Sequence, residues 1–232
     1  MKREFHTIVF DLDGTLADTL PDVAFGVNKA LEQMGHAPLS TQQVKKAVGP
    51  GKDEFIRAIF PGVENPEGKM FLSLFRKIYW EHCLDETRLF SGMEKVLSRL
   101  ENRKLGVASN KPRAYTEKIL EGLGVRFRFD EVLGPEDVVH AKPHPEMIIK
   151  LLERVEGKPS QTLLVGDTDM DIRAGRGAGI GVCGVRYGYG KIYDMERLSP
   201  DFFIDSPEEL LSILENHGEQ ASDRGRMRRF SG

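Results

Sequence analysis

Strand-forming runs in this chain come one at a time, each separated from the next by a helical period, and that alternation limits the fold more than any other feature. The runs are Ile8–Phe10, Leu105–Ser109, Glu131–Leu133, Thr162–Val165, Ile180–Val185 and Phe202–Ile204. Between them, apolar residues recur at helical spacing: Val96, Leu97 and Leu100; Tyr115, Ile119 and Leu120 after Pro112; Met147, Ile148, Leu151 and Leu152 after Pro145; a small-residue helix from Asp169 to Ala178; and a closing helix from Pro207 to Leu214. Strands joined through helices lie parallel, so the pattern predicts an α/β fold, a mostly parallel sheet with helices on both faces. One interval breaks the alternation. From Asp18 to Asp85 only helical periods appear: Leu20 to Met34, closed by Gly35; a helix capped by Ser40 or Thr41 through Val44 and Val48; one through Phe55, Ile56 and Ile59; and one from Met70 to Trp80. The expected organisation is therefore a discontinuous core domain, residues 1–16 and 87–216, interrupted by a helical cap domain, residues 17–86. The polar tail, residues 217–232, lacks the apolar content to join a core and is expected to be disordered.

The residues at the strand ends carry the chemistry. In Ile8-Val9-Phe10-Asp11-Leu12-Asp13-Gly14-Thr15-Leu16 a buried strand ends in two carboxylates, a glycine and a hydroxyl. Ligands of open α/β sheets bind outside the carboxyl ends of strands. Asp11, ionised at neutral pH without a base, is the candidate nucleophile for a covalent aspartyl intermediate. Asp13, two residues on along extended backbone, points the same way and can exchange a proton with a leaving group and then with water. Gly14 allows a sharp turn, and the Thr15 hydroxyl can hold a phosphate oxygen. The bland alternative is a strand end followed by a helix N-cap. Ser109-Asn110-Lys111-Pro112 offers uncharged donors beside a helix start, although a strand, a serine and a helix are also ordinary capping. Ala141-Lys142-Pro143-His144-Pro145-Glu146 presents a fixed positive charge that can offset a nucleophile and a transferring phosphoryl group; alone it reads as a solvated loop. In Gly166-Asp167-Thr168-Asp169-Met170-Asp171 two acids four residues apart share a face. Packing them beside Asp11 and Asp13 would be unfavourable without a cation, and oxygen ligands suit Mg²⁺. Asp169 is expected to turn away as an exposed helix-start acid.

Asp-Leu-Asp-Gly-Thr-Leu resembles the first signature of the haloacid dehalogenase-like hydrolases, most of them Mg²⁺-dependent phosphatases. The other three stretches sit where that family's remaining signatures are expected, and the resemblance runs to about Leu214. It implies a Rossmann-like core of the haloacid dehalogenase type with an inserted helical cap. It further implies that Asp11, the Asp13 main-chain carbonyl and Asp167 bind Mg²⁺ with Asp171 in support, and that Thr15, Ser109, Asn110 and Lys142 hold the phosphoryl oxygens. Ser-Asn-Lys-Pro, Lys-Pro-His-Pro-Glu and Val185-Arg-Tyr-Gly-Tyr-Gly190 are similar to phosphoglycolate phosphatases, which makes 2-phosphoglycolate the favoured substrate. Other small-molecule phosphatases (pyrophosphatase or nucleotidase), a phosphomutase and a non-catalytic binding module on the same fold are the alternatives. A dehalogenase or phosphonatase is disfavoured by the presence of Asp13. In the cap, Lys52 and Arg57 are the candidates for reading a second anionic group, since Gly49-Pro-Gly51 permits close backbone approach.

Composition narrows the field further. A chain of 232 residues with 40% hydrophobic and 30% charged residues can bury a sizeable core, and a net charge of −3 gives no general attraction for nucleic acid. The expected partner is a small phosphorylated metabolite, with no nucleic acid and no membrane, and the chain a monomer or homodimer. No apolar run approaches the roughly 20 residues of a membrane span, and no signal-peptide core follows the N-terminus, so a cytoplasmic location is expected. Cys83 and Cys183 lie far apart and read as buried thiols. Gly49-Pro-Gly-Lys52 lacks the Ser or Thr and the preceding strand of a nucleotide loop, and Gly175-Arg-Gly-Ala-Gly179 lies within a helix, where small residues serve packing. His140 and His144 have metal-like spacing, but prolines interrupt the helix a metal pair would need, so neither is assigned.

Overall fold

The computed structural model describes residues 4–49, 51–59 and 66–216, with the side chains of Lys52 and Asn216 not among them. In chain order the strands are β1 (Thr7–Phe10), β2 (Ala17–Asp18), β3 (Arg88–Leu89), β4 (Lys104–Ala108), β5 (Glu131–Leu133), β6 (Thr162–Gly166), β7 (Gly181–Val185) and β8 (Phe202–Ile204). The helices are α1 (Leu20–Gln33), α2 (Thr41–Lys45), α3 (Lys52–Ile59), α4 (Pro66–His82), α5 (Met93–Arg99), α6 (Arg113–Gly122), α7 (Glu146–Arg154), α8 (Asp169–Gly177), α9 (Ile192–Glu196) and α10 (Glu209–Asn216). Six strands form a sheet in the order β5-β4-β1-β6-β7-β8, all parallel. β1 consists of β-branched and aromatic residues and is buried throughout, as a central strand covered on both faces must be. Its side chains alternate: Ile8 and Phe10 join one apolar cluster and Val9 the other. The second cluster is completed by Met147, Ile148, Leu151 and Leu152 of α7 and Ile172 of α8. The chain leaves β1 to build β4 and β5 on one side and returns to build β6, β7 and β8 on the other. β1 is thus the switch point of the sheet, with β4 and β6 as its neighbours.

The four helices between β2 and β3 follow the helical periods seen in the sequence. α1 lies along α4, and Phe71 and Tyr79 of α4 are buried in the first cluster. Ser40 caps α2 as expected, with its hydroxyl accepting from Gln43 N and its own N–H donating to Gln43 Oε1, but the helix stops at Lys45, short of Val48. Two features escaped the sequence reading. β2 and β3 pair antiparallel at the root of the helical insertion, Ala17 with Leu89 and Asp18 with Arg88. Strands of two residues are too short to show a period. The single-turn helix α9 was likewise too short to register. At this root the buried Asp22 carboxylate accepts the backbone N–H groups of Glu86 and Thr87 at 2.9–3.1 Å, tying the chain's entry into the helices to its exit. The tail, residues 217–232, lies outside the described residues, as does the side chain of Lys52. Both cysteines are buried and free.

Candidate active site

Three adjacent strand ends assemble the site. Beyond β1 the ladder continues for one residue, with Asp11 N donating to Val165 O at 3.0 Å, which fixes Asp11 at the carboxyl end of the sheet. The chain then folds back: Thr15, Leu16 and Ala17 all donate their N–H groups to Leu12 O. Gly14 makes this turn at φ +80°, and a Cβ there would lie 2.3 Å from Asp167 Oδ2. Only glycine suits both the left-handed backbone and the close approach. β4 delivers Ser109 and Asn110, and β6 delivers Asp167. At the start of α8 Thr168 and Asp171 form a reciprocal cap, Thr168 N donating to Asp171 Oδ2 at 3.1 Å and Asp171 N to the Thr168 hydroxyl at 3.4 Å. This cap turns the Asp171 carboxylate inward.

Oxygens of Asp11, Asp167 and Asp171, all buried, lie within 4.8 Å of one another. The Lys142 ammonium sits among them, 3.0 Å from Asp11 Oδ1 and 2.6 Å from Asp171 Oδ1. Asp11 Oδ1 is in ion-pair distance of that ammonium yet receives no hydrogen bond of acceptable geometry, leaving a buried acceptor orphaned. Burial, opposed by Lys142 and reinforced by Asp171 and Asp13, raises the Asp11 pKa from 3.8 to about 6. Burial, together with repulsion from Asp11 and Asp171, raises that of Asp167 to about 8. Desolvation opposes the charge on Lys142, but Asp11 and Asp171 outweigh it and hold its pKa above the usual lysine value. With all four carboxylates ionised, the two ammoniums of Lys142 and Lys111 leave an excess of two negative charges; burial and this repulsion hold Asp11 and Asp167 above the usual carboxylate range without a cation. An orphaned oxygen, an all-oxygen donor set and that excess together fit one divalent cation. A cavity of about 500 Å³ opens over Asp11 and Asp13 and extends to Phe55, Phe75 and Tyr79.

Several residues stand where the sequence reading did not put them. Thr15 is fully buried and its hydroxyl donates to Asp167 Oδ1 at 3.3 Å; the turn at Gly14 aims it at a carboxylate instead of the cavity. The Asn110 amide is likewise occupied, with Nδ2 donating to Lys142 O at 2.9 Å and to Gly49 O at 3.0 Å, and Oδ1 accepting from Lys142 N at 3.0 Å. Its side chain clasps the lysine loop in place of a phosphate. Ser109 lines the cavity, its hydroxyl oxygen accepting from Lys111 N at 3.3 Å. Arg57 is exposed and paired with Glu54 at 2.5 Å, and it does not line the cavity: the amphipathic period of α3 sends it to solvent. Asp169 pairs with Arg173 at 3.1 Å, turned away from the site as expected. His140 and His144 are exposed with their rings 4.8 Å apart, outside the carboxylate cluster.

Two residues were missed. Lys111 is nearly buried, 2.8 Å from Asp13 Oδ1 and 3.1 Å from the Tyr79 hydroxyl of α4. Its only sequence signal was its place beside Asn110. The Tyr189 N–H donates to Asp167 Oδ2 at 2.7 Å, joined by Gly190 N at 3.2 Å. The Tyr189 phenol meanwhile donates to Asp18 at 2.6 Å and accepts from Thr19 N and Leu20 N. A Cβ on Gly190 would fall 1.8 Å from Asp167 O, which explains a glycine at that position of the loop. Lys45 of α2 donates to Gly188 O at 3.1 Å in the same loop.

A parallel sheet with a buried carboxylate at its switch point, followed by inserted helices, defines a class. Residues 8–185 match the haloacid dehalogenase-like hydrolase family, and the chain belongs to it. It is 32% identical over 224 residues, 92% of this chain and 100% of the relative, to the phosphoglycolate phosphatase of Haemophilus influenzae. It is 33% identical over 220 residues, 93% of this chain and 97% of the relative, to the N-acetylmuramic acid 6-phosphate phosphatase of Pseudomonas aeruginosa. Among solved structures, a predicted phosphoglycolate phosphatase from Haemophilus somnus superposes with a TM-score of 0.85 at 32% identity, covering 90% of this chain and 97% of that one. No helix among the described residues is long and apolar enough to cross a membrane.

Proposed function

We propose that this hydrolase is a Mg²⁺-dependent phosphatase of small phosphomonoesters, with 2-phosphoglycolate its substrate, and that it works through an aspartyl-phosphate on Asp11. The observation that carries this reading is the division of labour between two carboxylates at one strand end. Asp11 is held by Lys142, while Asp13 is held at Oδ1 by Lys111 and by the Thr19 hydroxyl. Asp11 is thus a nucleophile set against a fixed positive charge, and Asp13 keeps Oδ2 to exchange a proton. In the first half-reaction an Asp11 oxygen bonds to phosphorus, the ester P–O bond breaks, and Asp13 gives its proton to the departing oxygen. In the second, Asp13 takes a proton from water as the water oxygen attacks phosphorus, freeing phosphate and the Asp11 carboxylate. Ser109 and Lys142 offer donors to the phosphoryl oxygens. Asn110 holds Lys142 in place, and Thr15 holds Asp167. Asp11, Asp167 and the Asp13 main-chain carbonyl would hold the cation, with Asp171 in support. When bound, the cation neutralises the carboxylates and stabilises charge on the transferring group. Residues 17–86 are the cap in this reading, the core being residues 1–16 and 87–216.

The two named relatives act on phosphate esters of carboxylic acids, and the cavity of about 500 Å³ is larger than 2-phosphoglycolate requires. A bulkier phosphorylated acid sugar is therefore the second reading. Phosphate release from 2-phosphoglycolate, N-acetylmuramic acid 6-phosphate and p-nitrophenyl phosphate, with Mg²⁺ and with chelator, tests the proposal. Asp11→Asn, which removes the nucleophile and almost no volume, should abolish turnover of all three with the protein folded. Turnover within tenfold of wild type would refute the covalent route.

A further inference from the structure

We infer that Lys111 and Arg76 form the subsite that reads a carboxylate on the alcohol side of the ester, and that the preferred substrate carries that anion close to the phosphate oxygen. This deepens the phosphatase reading and rests on it.

The two buried lysines divide the reacting centre between them. Lys142 contacts Asp11 and Asp171, the side from which phosphorus is attacked. Lys111 contacts Asp13, the group that meets the departing oxygen. Whatever hangs from that oxygen must therefore pass Lys111. A departing oxygen exchanging a proton with Asp13 lies about 3 Å from it, and Lys111 Nζ is itself 2.8 Å from Asp13 Oδ1. An anionic group one carbon further along thus falls within reach of the ammonium. A lysine has three N–H donors. One faces Asp13 and one the Tyr79 hydroxyl, and no partner among the described residues takes the third, on a side chain that lines the cavity.

Arg76 supplies the second cation from α4. It lies one turn before Tyr79, lines the same cavity, and no carboxylate of the described residues pairs with it. Its position is tied to that of Lys111 through aromatic contacts. Tyr79 bonds Lys111, Tyr115 stacks on Tyr79 with ring centroids 5.4 Å apart, and the Tyr115 hydroxyl donates to Arg76 O at 2.9 Å. Of the three further acids in the lining, Glu54 is engaged by Arg57 and Glu136 by Arg113 N, while Asp53 on α3 is exposed to solvent. Lys111 and Arg76 are the cations of the described cavity lining. A planar guanidinium matches a carboxylate edge, whereas a neutral alkyl ester would leave both cations with nothing to bind.

The test compares 2-phosphoglycolate with ethyl phosphate, which has the same ester linkage and a methyl in place of the carboxylate. The quantity read is the ratio of their kcat/KM values, in which any effect of a substitution on Asp13 or on phosphoryl transfer cancels. Wild type should prefer 2-phosphoglycolate by at least about a hundredfold. Lys111→Met should lower that ratio at least tenfold, and Arg76→Met at least fivefold. A wild-type ratio near one, or ratios unchanged in both variants, overturns the subsite. If Lys111→Met does not fold, Arg76→Met decides, and an unchanged ratio there overturns it. Loss of the subsite alone is recognised by wild-type hydrolysis of ethyl or p-nitrophenyl phosphate without discrimination. Absence of phosphate release from every ester overturns the phosphatase reading, and the subsite with it.

Discussion

Replacing Asn110 by alanine separates two roles that its place beside Ser109 leaves open. As a phosphate ligand the amide would bind substrate, and its loss would raise KM with little change in kcat or stability. In the structure the amide instead makes two hydrogen bonds to the Lys142 main chain and one to Gly49 O. At about 1 kcal/mol for each bond of this kind, truncation should cost about 3 kcal/mol. In a protein of this size that lowers Tm by about 6–12 °C. The kinetic effect follows from what the bonds hold. With its loop released, Lys142 Nζ no longer stands 3.0 Å from Asp11 and 2.6 Å from Asp171, and a displacement of about 1 Å at a reacting centre can cost on the order of a hundredfold. Asn110→Ala is therefore expected to lose about two orders of magnitude in kcat on 2-phosphoglycolate with KM nearly unchanged. Asn110→Asp should fare no better, because it keeps the acceptor for Lys142 N but sets a carboxylate oxygen against Lys142 O and Gly49 O. Steady-state kinetics and thermal melts on the same preparations give both numbers. A tenfold rise in KM with kcat and Tm intact would refute this argument and restore Asn110 as a phosphate ligand.

Other expectations follow from the same geometry. Burial raises the pKa values of Asp11 and Asp167 from 3.8 to about 6 and about 8 without metal; at these two groups the native state then binds more protons than the unfolded one, so the stability they contribute is fullest below about pH 4 and is lost as pH rises towards 8. Tm in chelator should accordingly fall between about pH 5 and pH 8, and added Mg²⁺ should restore most of it at the upper end; a flat profile would contradict the burial assigned to these acids. Tyr189→Phe removes the phenol bonds to Asp18, Thr19 and Leu20 but keeps the N–H on Asp167; it should cost about 1–3 kcal/mol by denaturant melt while Mg²⁺ affinity, titrated separately, stays within about twofold. Arg57→Met breaks only an exposed pair with Glu54 and should leave kcat/KM for 2-phosphoglycolate within about twofold, since such pairs contribute about 0–1 kcal/mol.

What could be read from sequence and what could not divide along a physical line. Asp11, Asp13, Ser109 and Asp167 stand at or just past the ends of recognisable strands, and the carboxyl edge of a parallel sheet brings such ends together whatever lies between them; Lys142, in the loop between β5 and α7, was singled out only by the resemblance of its Lys-Pro stretch. The β2–β3 pair was invisible for the opposite reason: two residues carry no period, and their pairing depends on both ends of the helical insertion meeting. Side-chain partners were not legible wherever a hydroxyl or amide had a choice. Thr15 turned to Asp167 and Asn110 to Lys142, because a buried donor is satisfied by the nearest acceptor that the tertiary register supplies, and Asp167 lies 152 positions from Thr15. Arg57 and Lys111 lie in contrasting places, one an amphipathic-helix cation turned to solvent, the other a loop cation, given no role from the sequence, that is buried against Asp13. Tyr189 shows why such residues matter. Its backbone holds Asp167 and its phenol holds the first turn of α1, 170 positions from Thr19, so the inserted helices are tied to the loop that holds Asp167. Any rigid shift of those helices about the β2–β3 root must move against Tyr189 on one side and the Tyr79 bond to Lys111 on the other. These two contacts are where movement of the inserted helices would be felt by Asp167 and Asp13.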